Sequence, residues 1–213
     1  LNFTLGRMNT QHIVLGGVYE SPSTPYEMRV VAFDDDVVMY DVWWPHKQAW
    51  GMSKIGGSFS YYRLERAYFE EHSRLLRHEQ LTELELLVHR PDLPFAFGQR
   101  ATLSWYSHLS ENDLLASEQP TGKPRLLEAP SIFISPFGPR DSSKPPVLVN
   151  AANGRCFSEL ELLLAAHQIQ QPFLGEAVLT SGVGIYRSGI KKRLPTFYLW
   201  GARSRLETAN GKA

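Results

Sequence analysis

Short apolar runs alternate with turn-forming residues over the first third of the chain. Residues 13–15, 28–33 and 37–44 are rich in Val, aromatic and other strand-favouring side chains, and glycines, prolines or three consecutive acids separate the runs. Such runs predict β-strands, and a further short strand is predicted at 58–62. The N-terminal region is therefore expected to form an antiparallel sheet or a small barrel.

Beyond residue 63 the spacing of apolar residues becomes helical. A helix over residues 64–76 would carry one apolar stripe made of Leu64, Ala67, Tyr68, Leu75 and Leu76. Thr82 and Glu85 have the spacing of a capping box, which predicts a second short helix ending near His89. Residues 110–116 are expected to form a third short helix. The middle of the chain is thus predicted to be helical.

The last third of the chain combines a helix signal with a hairpin signal. Ser158 and Glu161 form another capping-box pair, and Pro172 follows the apolar run, so a helix is predicted over residues 159–170. Residues 177–186 and 194–200 are rich in strand-forming side chains, and the basic segment 187–193 joins them. We expect a β-hairpin with a basic loop.

Together these elements predict an α+β fold. An antiparallel N-terminal sheet would be followed by a helical middle, and then by a C-terminal helix and a β-hairpin. The chain is expected to form a single globular unit over residues 1–213. The alternative is a division into a β-rich module with helices at 8–100 and an α+β part at 101–213, and the proline-rich segment 138–146 is a further candidate for a boundary.

Composition narrows the class of protein. The chain has 213 residues, of which 43% are hydrophobic and 21% charged, which is typical of globular proteins rather than of disordered ones. No apolar run approaches the roughly 20 residues of a membrane span, and no secretory signal is expected. Cys156 is the single cysteine, which excludes an internal disulfide and a multi-cysteine zinc site. We therefore expect a cytoplasmic protein with no membrane partner.

The net charge of zero hides an asymmetry along the chain. Residues 1–50 carry three basic and six acidic groups, whereas residues 173–213 carry seven basic and two acidic groups. A basic end on a neutral protein favours a polyanionic partner, although solvated surface is the commoner explanation of such charge. The basic residues considered for backbone contacts with nucleic acid are Arg187, Lys191, Lys192, Arg193, Arg203 and Arg205.

Glycines accompany this basic segment. Gly182, Gly184 and Gly189 would permit close approach of the backbone to a phosphate. The stretch 182–193 resembles the glycine-rich loop of the repeat-associated RNA-binding proteins of CRISPR systems, in its Gly-hydrophobic-Gly start, basic residue and closing Gly. The resemblance is confined to this stretch, and the β-α-β-β pattern of that family is not evident in the N-terminal region. A glycine-kinked hairpin with a wet, basic tip is the alternative reading.

A dense aromatic cluster marks the N-terminal region. Rings on a β surface can stack on bases or surround a cation, and they can equally fill the core of a small sheet. Because neighbouring residues of a strand point to opposite faces, the adjacent tryptophans cannot both face the same core. The candidates for stacking are Trp43, Trp44, Trp50, Tyr61 and Tyr62.

Four acids, Asp34, Asp35, Asp36 and Asp41, raise the possibility of a divalent-metal site. Three consecutive aspartates between two apolar runs are more typical of a solvated turn. No helical His pair, Walker loop or nucleophile elbow is present in the sequence. Neither a metal nor a cofactor is predicted.

The sequence thus favours a non-catalytic protein that binds nucleic acid, or takes part in a nucleoprotein assembly with protein partners, through its basic C-terminal hairpin. Two alternatives stay open. One is a metal-dependent enzyme with an acidic site near residues 34–41, and the other is a protein-protein adaptor that uses exposed aromatic residues.

Overall fold

The protein is described by a computed structural model over residues 12–55, 57–105, 109–117, 126–138, 144–175 and 179–202. The chain divides into two compact units: unit 1 holds residues 1–53 and 61–91, and unit 2 holds residues 54–60 and 92–213. Compactness does not test whether either part folds alone. The single-unit prediction and its 8–100 and 101–213 alternative therefore stay predictions.

Unit 1 is built on an antiparallel sheet with the strand order β4-β3-β2-β1-β8, in which β7 also pairs with β3. The sheet follows from the Val-rich and aromatic runs seen in the sequence, which suit a pleated and half-buried surface. Its strands are β1 (Gly17–Ser21), β2 (Thr24–Phe33), β3 (Val37–Trp44), β4 (Ala49–Gly51), β7 (Tyr62–Glu65) and β8 (Arg74–His78).

One face of this sheet packs against helix α1. Val38, Tyr40 and Val42 alternate along β3 and pack into a core with Phe69 of helix α1 (Arg66–His72). Helix α2 (Glu83–His89) begins at the predicted capping box, in which Thr82 and Glu85 bond reciprocally. The second short helix predicted from the sequence is confirmed.

Unit 2 is built on a seven-stranded mixed sheet with the order β12-β11-β15-β14-β6-β5, in which β9 also pairs with β14. Strand β11 runs parallel to β15, and the other pairings of β14 and β15 are antiparallel. The strands are β5 (Ser53–Ile55), β6 (Ser58–Ser60), β9 (Ala96–Arg100), β11 (Ser131–Ser135), β12 (Val147–Asn150), β14 (Leu179–Lys191) and β15 (Leu194–Ala202). A separate small sheet pairs β10 (Leu126–Leu127) with β13 (Phe157–Ser158).

Helix α4 (Glu159–Gln170) supplies the apolar cover of unit 2. Its bounds match the prediction, and the capping box of Ser158 and Glu161 is present. Leu162, Leu163 and Ala166 are buried in the core that α4 shares with the sheet. Helix α3 (Glu111–Ala116) is also present as predicted, and a 3₁₀ turn (Gln171–Phe173) follows α4.

The α+β class with a helical middle is wrong, because 47% of the described residues lie in strands and 21% in helices. The predicted helix over 64–76 is reduced to α1. Residues 74–78 instead form β8, which pairs with β1 through partners such as Val18 and Arg77. The pairing satisfies the backbone groups along one edge of β1, and this gain outweighs the helical spacing of Leu75 and Leu76.

Within the described part of the chain, no helix combines the length and the apolar character that a membrane span requires.

Candidate functional site

The hairpin of β14 and β15 ends in a two-residue turn. Lys191 pairs with Leu194 across the two strands, and Lys192 and Arg193 form the turn between them. Both turn residues have positive φ, 50° and 65°, which is the pattern of a type I′ turn. The predicted loop 187–193 is therefore too long, since strand β14 continues to Lys191. We call Lys191, Lys192 and Arg193 the cationic tip.

The side chains of the cationic tip face solvent. Lys192 and Arg193 are exposed, and Lys191 is half-buried with its Nζ 5.3 Å from the centre of the Phe133 ring. Among the residues that the structure describes, no carboxylate forms an ion pair with any of the three. The tip therefore presents positive charge that the described fold does not neutralise.

Arg187 has a different environment from the tip. It is 1% exposed, and its guanidinium donates a hydrogen bond to the carbonyl oxygen of Leu93 at 3.3 Å. The backbone N–H of Arg187 donates to the carbonyl oxygen of Phe95. A side chain enclosed in this way cannot reach an external phosphate, so Arg187 is left out of the contact set. Arg203 and Arg205 lie outside the described residues, and their role stays a prediction.

All three glycines singled out in the sequence are approached by the protein itself, Gly182 and Gly184 within the sheet and Gly189 by strand β6. A Cβ on Gly182 would lie 2.9 Å from the Trp200 ring, and one on Gly184 would lie 3.1 Å from the backbone of Gln99. Both have positive φ, 118° and 150°. Their small size serves packing within the sheet, and the space beside them is already filled.

Gly189 brings a third strand to the tip. A Cβ on Gly189 would lie 1.8 Å from the carbonyl oxygen of Phe59, so only glycine allows β6 to come this close. Ile190 and Phe59 are register partners, so the Phe59 side chain lies on the Ile190 face of the sheet, two positions along the chain from the turn residue Lys192, whereas Lys191 points to the opposite face. Phe59 is 47% exposed. Lys54, on the next strand β5, is exposed as well.

Reasoning from the sequence missed Phe59. One signal was present in the sequence, because Phe59 is a single apolar residue between two serines, Ser58 and Ser60. Pairing of β6 with β14 could not be read from the sequence, since the two strands are separated by more than a hundred residues.

No protein-family model, curated protein or solved structure matches this chain. The stretch 182–193, which resembles a glycine-rich loop in sequence, is the end of strand β14 followed by a tight turn.

The predicted stacking residues are divided between the two faces of the unit 1 sheet. Trp43 and Trp50 meet edge to face at 5.4 Å, and the guanidinium of Arg29 lies 4.8 Å from the centre of the Trp50 ring. The indole N–H of Trp50 donates to the carboxylate of Glu79 at 2.9 Å. These contacts hold the rings in place within unit 1.

The remaining aromatic candidates also make internal contacts. Tyr62 stacks on Tyr40 at 5.8 Å, and Trp44 is covered at one side by Gly51. Tyr61 is 7% exposed and its hydroxyl lies 3.2 Å from Nδ1 of His89. Burial, and to a smaller extent the charge of the neighbouring Tyr62 hydroxyl group, raise the pKa of Tyr40 to about 12. Tyr61 is thus buried, whereas Trp44 and Tyr62 are half-buried, with the Nζ of Lys47 5.5 Å from the centre of the Trp44 ring.

The acidic residues do not converge on one point. The carboxylate of Asp34 accepts hydrogen bonds from the backbone N–H groups of Asp36 and Val37, both at 3.0 Å, as in an Asx turn. Asp41 is buried and pairs with Arg29 at 2.8 Å. No cluster of metal-binding side chains is found among the described residues. The metal-dependent alternative stays a prediction.

Buried Asp41 and Arg29 form a charge cluster with half-buried Glu85 instead. Arg29 donates to both carboxylates, at 2.8 Å and 2.9 Å. Burial raises the pKa of Asp41 although Arg29 lowers it. Burial also opposes ionisation of Glu85, but bonds from Thr82 and the charge of Arg29 outweigh it and hold the pKa of Glu85 below its ordinary value. The charged groups of this cluster pair with one another.

Proposed function

We propose that this protein binds nucleic acid through phosphate contacts made by the cationic tip. The observation that carries the proposal is the residue choice in the turn. Left-handed positions in a type I′ turn favour Asn and Gly, because other side chains are strained there. This chain places Lys192 and Arg193 at those positions, with φ of 50° and 65°. Two cations kept at a local cost to the backbone favour a role outside the fold.

The charge around the tip supports the same proposal. Lys191 precedes the turn, and Lys54 lies two strands away in the order β14-β6-β5. Adjacent strands are about 4.8 Å apart, so these amines can follow one backbone of a polyanion. Lysine and arginine that neutralise phosphates release counterions, which supplies affinity without sequence preference. The contact set is therefore Lys54, Lys191, Lys192 and Arg193, and no base specificity is proposed.

Salt-dependent binding tests this proposal. We expect Lys191→Gln/Lys192→Gln/Arg193→Gln to weaken binding of nucleic acid and to reduce the slope of log affinity against log salt by about one unit for each lost contact. Binding would be measured by fluorescence anisotropy over a range of salt concentrations. The fold should be unaffected, because exposed charges contribute little to stability.

A matched control removes the same charge from unit 1. Lys47→Gln/Arg74→Gln/Arg77→Gln also eliminates three cations, but Arg74 and Arg77 are already neutralised by Glu20 and Glu27. This control should keep its affinity and its salt slope. Equal weakening by both triple variants would mean that net charge alone drives binding. Absence of binding by the wild type at low salt would refute the proposal altogether.

A further inference from the structure

Phe59 is an exposed aromatic side chain beside the cationic tip. It lies on β6, and its register partner Ile190 is two residues from Lys192 of the turn, while Lys191 points to the opposite face of the sheet. Ile190 is 4% exposed, whereas Phe59 is 47% exposed. The Phe59 ring is therefore exposed to solvent, although its partner Ile190 is buried.

The backbone of Phe59 is held by a close contact with β14. Only a glycine at 189 allows the carbonyl of Phe59 to approach β14 as it does, since a Cβ there would meet that oxygen at 1.8 Å. Register contacts tie Gly189 to Ser60 and Ile190 to Phe59. The Cα of Phe59 is thus placed by strand pairing and not by a loop.

An exposed aromatic ring near exposed cations that form no ion pair within the described residues has a specific chemical match. A base presents a π-face for stacking, and the phosphate that follows it carries a negative charge. We propose that this surface takes single-stranded nucleic acid, with a base stacked on Phe59 while the cationic tip holds the backbone. This inference rests on the proposed function, since it assigns the form of nucleic acid to the same site.

The strandedness follows from the availability of bases. In a duplex each base is stacked between its neighbours and paired, so its face cannot meet a protein ring without prior unstacking. In a single strand the face is free. No described residue of the surface singles out the sugar, so single-stranded DNA and RNA should both bind.

The test compares single strands with duplexes of equal length. We expect wild-type protein to bind fluorescent oligo(dT) and oligo(U) more tightly than a DNA or RNA duplex of the same length. Phe59→Leu, which keeps apolar volume and removes the aromatic face, should weaken single-strand binding by roughly 5- to 150-fold, as the loss of one stacked base does. Duplex binding should change little.

Two further variants separate stacking from folding. Phe59→Trp keeps an aromatic face and should retain single-strand binding. Ile55→Ala removes a comparably exposed apolar side chain from the neighbouring strand and should also bind as the wild type does, since Ile55 is 39% exposed and offers no ring. Circular dichroism would confirm that each variant is folded.

The outcomes distinguish this inference from the proposed function. Unchanged single-strand binding by Phe59→Leu would overturn the stacking role. Equal affinity for single strands and duplexes, together with weakening of both by the tip variant, would overturn the inference and leave phosphate binding in place. If no nucleic acid binds, the proposed function fails and the inference fails with it.

Discussion

Positive charge has different surroundings in the two units. Four arginines of unit 1 each form an ion pair with a carboxylate: Arg29 with Asp41, Arg66 with Glu70, Arg74 with Glu20 and Arg77 with Glu27. In the described part of unit 2, the three cations of the tip form no such pair. Unit 2 also pairs Arg100 with Glu159, so it is the cationic tip that differs from the paired arginines of both units.

The difference shows why net charge is a poor guide to a binding surface. Much of the positive charge of unit 1 is cancelled within a few ångströms by acids on neighbouring strands. Long-range attraction of a polyanion depends on charge that is not cancelled locally. The tip is the better candidate because none of its three cations forms an ion pair with a carboxylate of the described residues.

The largest expected effect is loss of the buried pair in unit 1. Arg29→Met leaves Asp41, 3% exposed, without its cation, and we expect a loss of about 3 to 5 kcal/mol in the free energy of unfolding. Arg74→Met removes the cation of an exposed pair and should cost less than about 1 kcal/mol. Urea denaturation of both variants measures the difference.

The pH dependence of this loss has a defined sign. A carboxyl whose folded pKa is raised contributes stability at low pH that is lost as the pH rises through that pKa. Burial already raises the pKa of Asp41, and removal of Arg29 raises it further. The penalty of Arg29→Met should therefore be smaller at about pH 5 than at about pH 7. An equal penalty at both pH values would show that the charge on Asp41 does not cause the loss.

A smaller effect is expected at the close contact beside the tip. Gly189→Ala forces a Cβ against the carbonyl oxygen of Phe59, and overpacking of this kind costs about 1 to 3 kcal/mol. We also expect a reduced preference for single strands, because β6 must move away from β14. Chemical denaturation and anisotropy measure the two effects.

Gly154→Ala provides the control for this variant. Gly154 has positive φ, but a Cβ added there would meet no atom within 4 Å. Gly154→Ala should therefore lower the free energy of unfolding by about 1 kcal/mol through backbone strain alone and leave binding unchanged. A Gly189→Ala protein with wild-type stability and wild-type selectivity would contradict the close contact.

Local signals in the sequence predicted the helices that have caps. Thr82 with Glu85 and Ser158 with Glu161 define helix starts through contacts within three residues, so no tertiary information is needed. The helical spacing of Leu75 and Leu76 failed because strand pairing with β1 involves residues more than fifty positions away.

The candidate site was only partly predictable for the same reason. Lys191, Lys192 and Arg193 are contiguous, so their shared position at a turn could be inferred from the sequence. The burial of Arg187 depends on contacts with residues 93 and 95, and the exposure of Phe59 depends on a sheet that brings distant strands together. Such long-range arrangements leave no periodic pattern in the sequence.

The smallest expected effect concerns the residues of the turn, and it has the opposite sign for folding and binding. Lys192→Asn/Arg193→Gly introduces the pair that type I′ turns prefer, at positions where φ is 50° and 65°. We expect stability to rise by roughly 1 kcal/mol, because strain in the left-handed region is relieved. Affinity for nucleic acid should fall at the same time, with a salt slope lower by about two units, because two phosphate contacts are lost.

Lys192→Gln/Arg193→Gln is the matched variant, since it removes the same two charges and keeps side chains that are strained at these φ values. It should lose binding to the same extent without gaining stability. Thermal unfolding and anisotropy on the two variants separate the contribution of backbone strain from that of charge. If the Asn-Gly variant is no more stable than the Gln-Gln variant, the two cations occupy the turn at no cost, and the residue choice no longer favours a role in binding. If the Asn-Gly variant is more stable and binds as tightly as the wild type, Lys192 and Arg193 do not contact the phosphates. Phosphate binding must then be assigned to other cations.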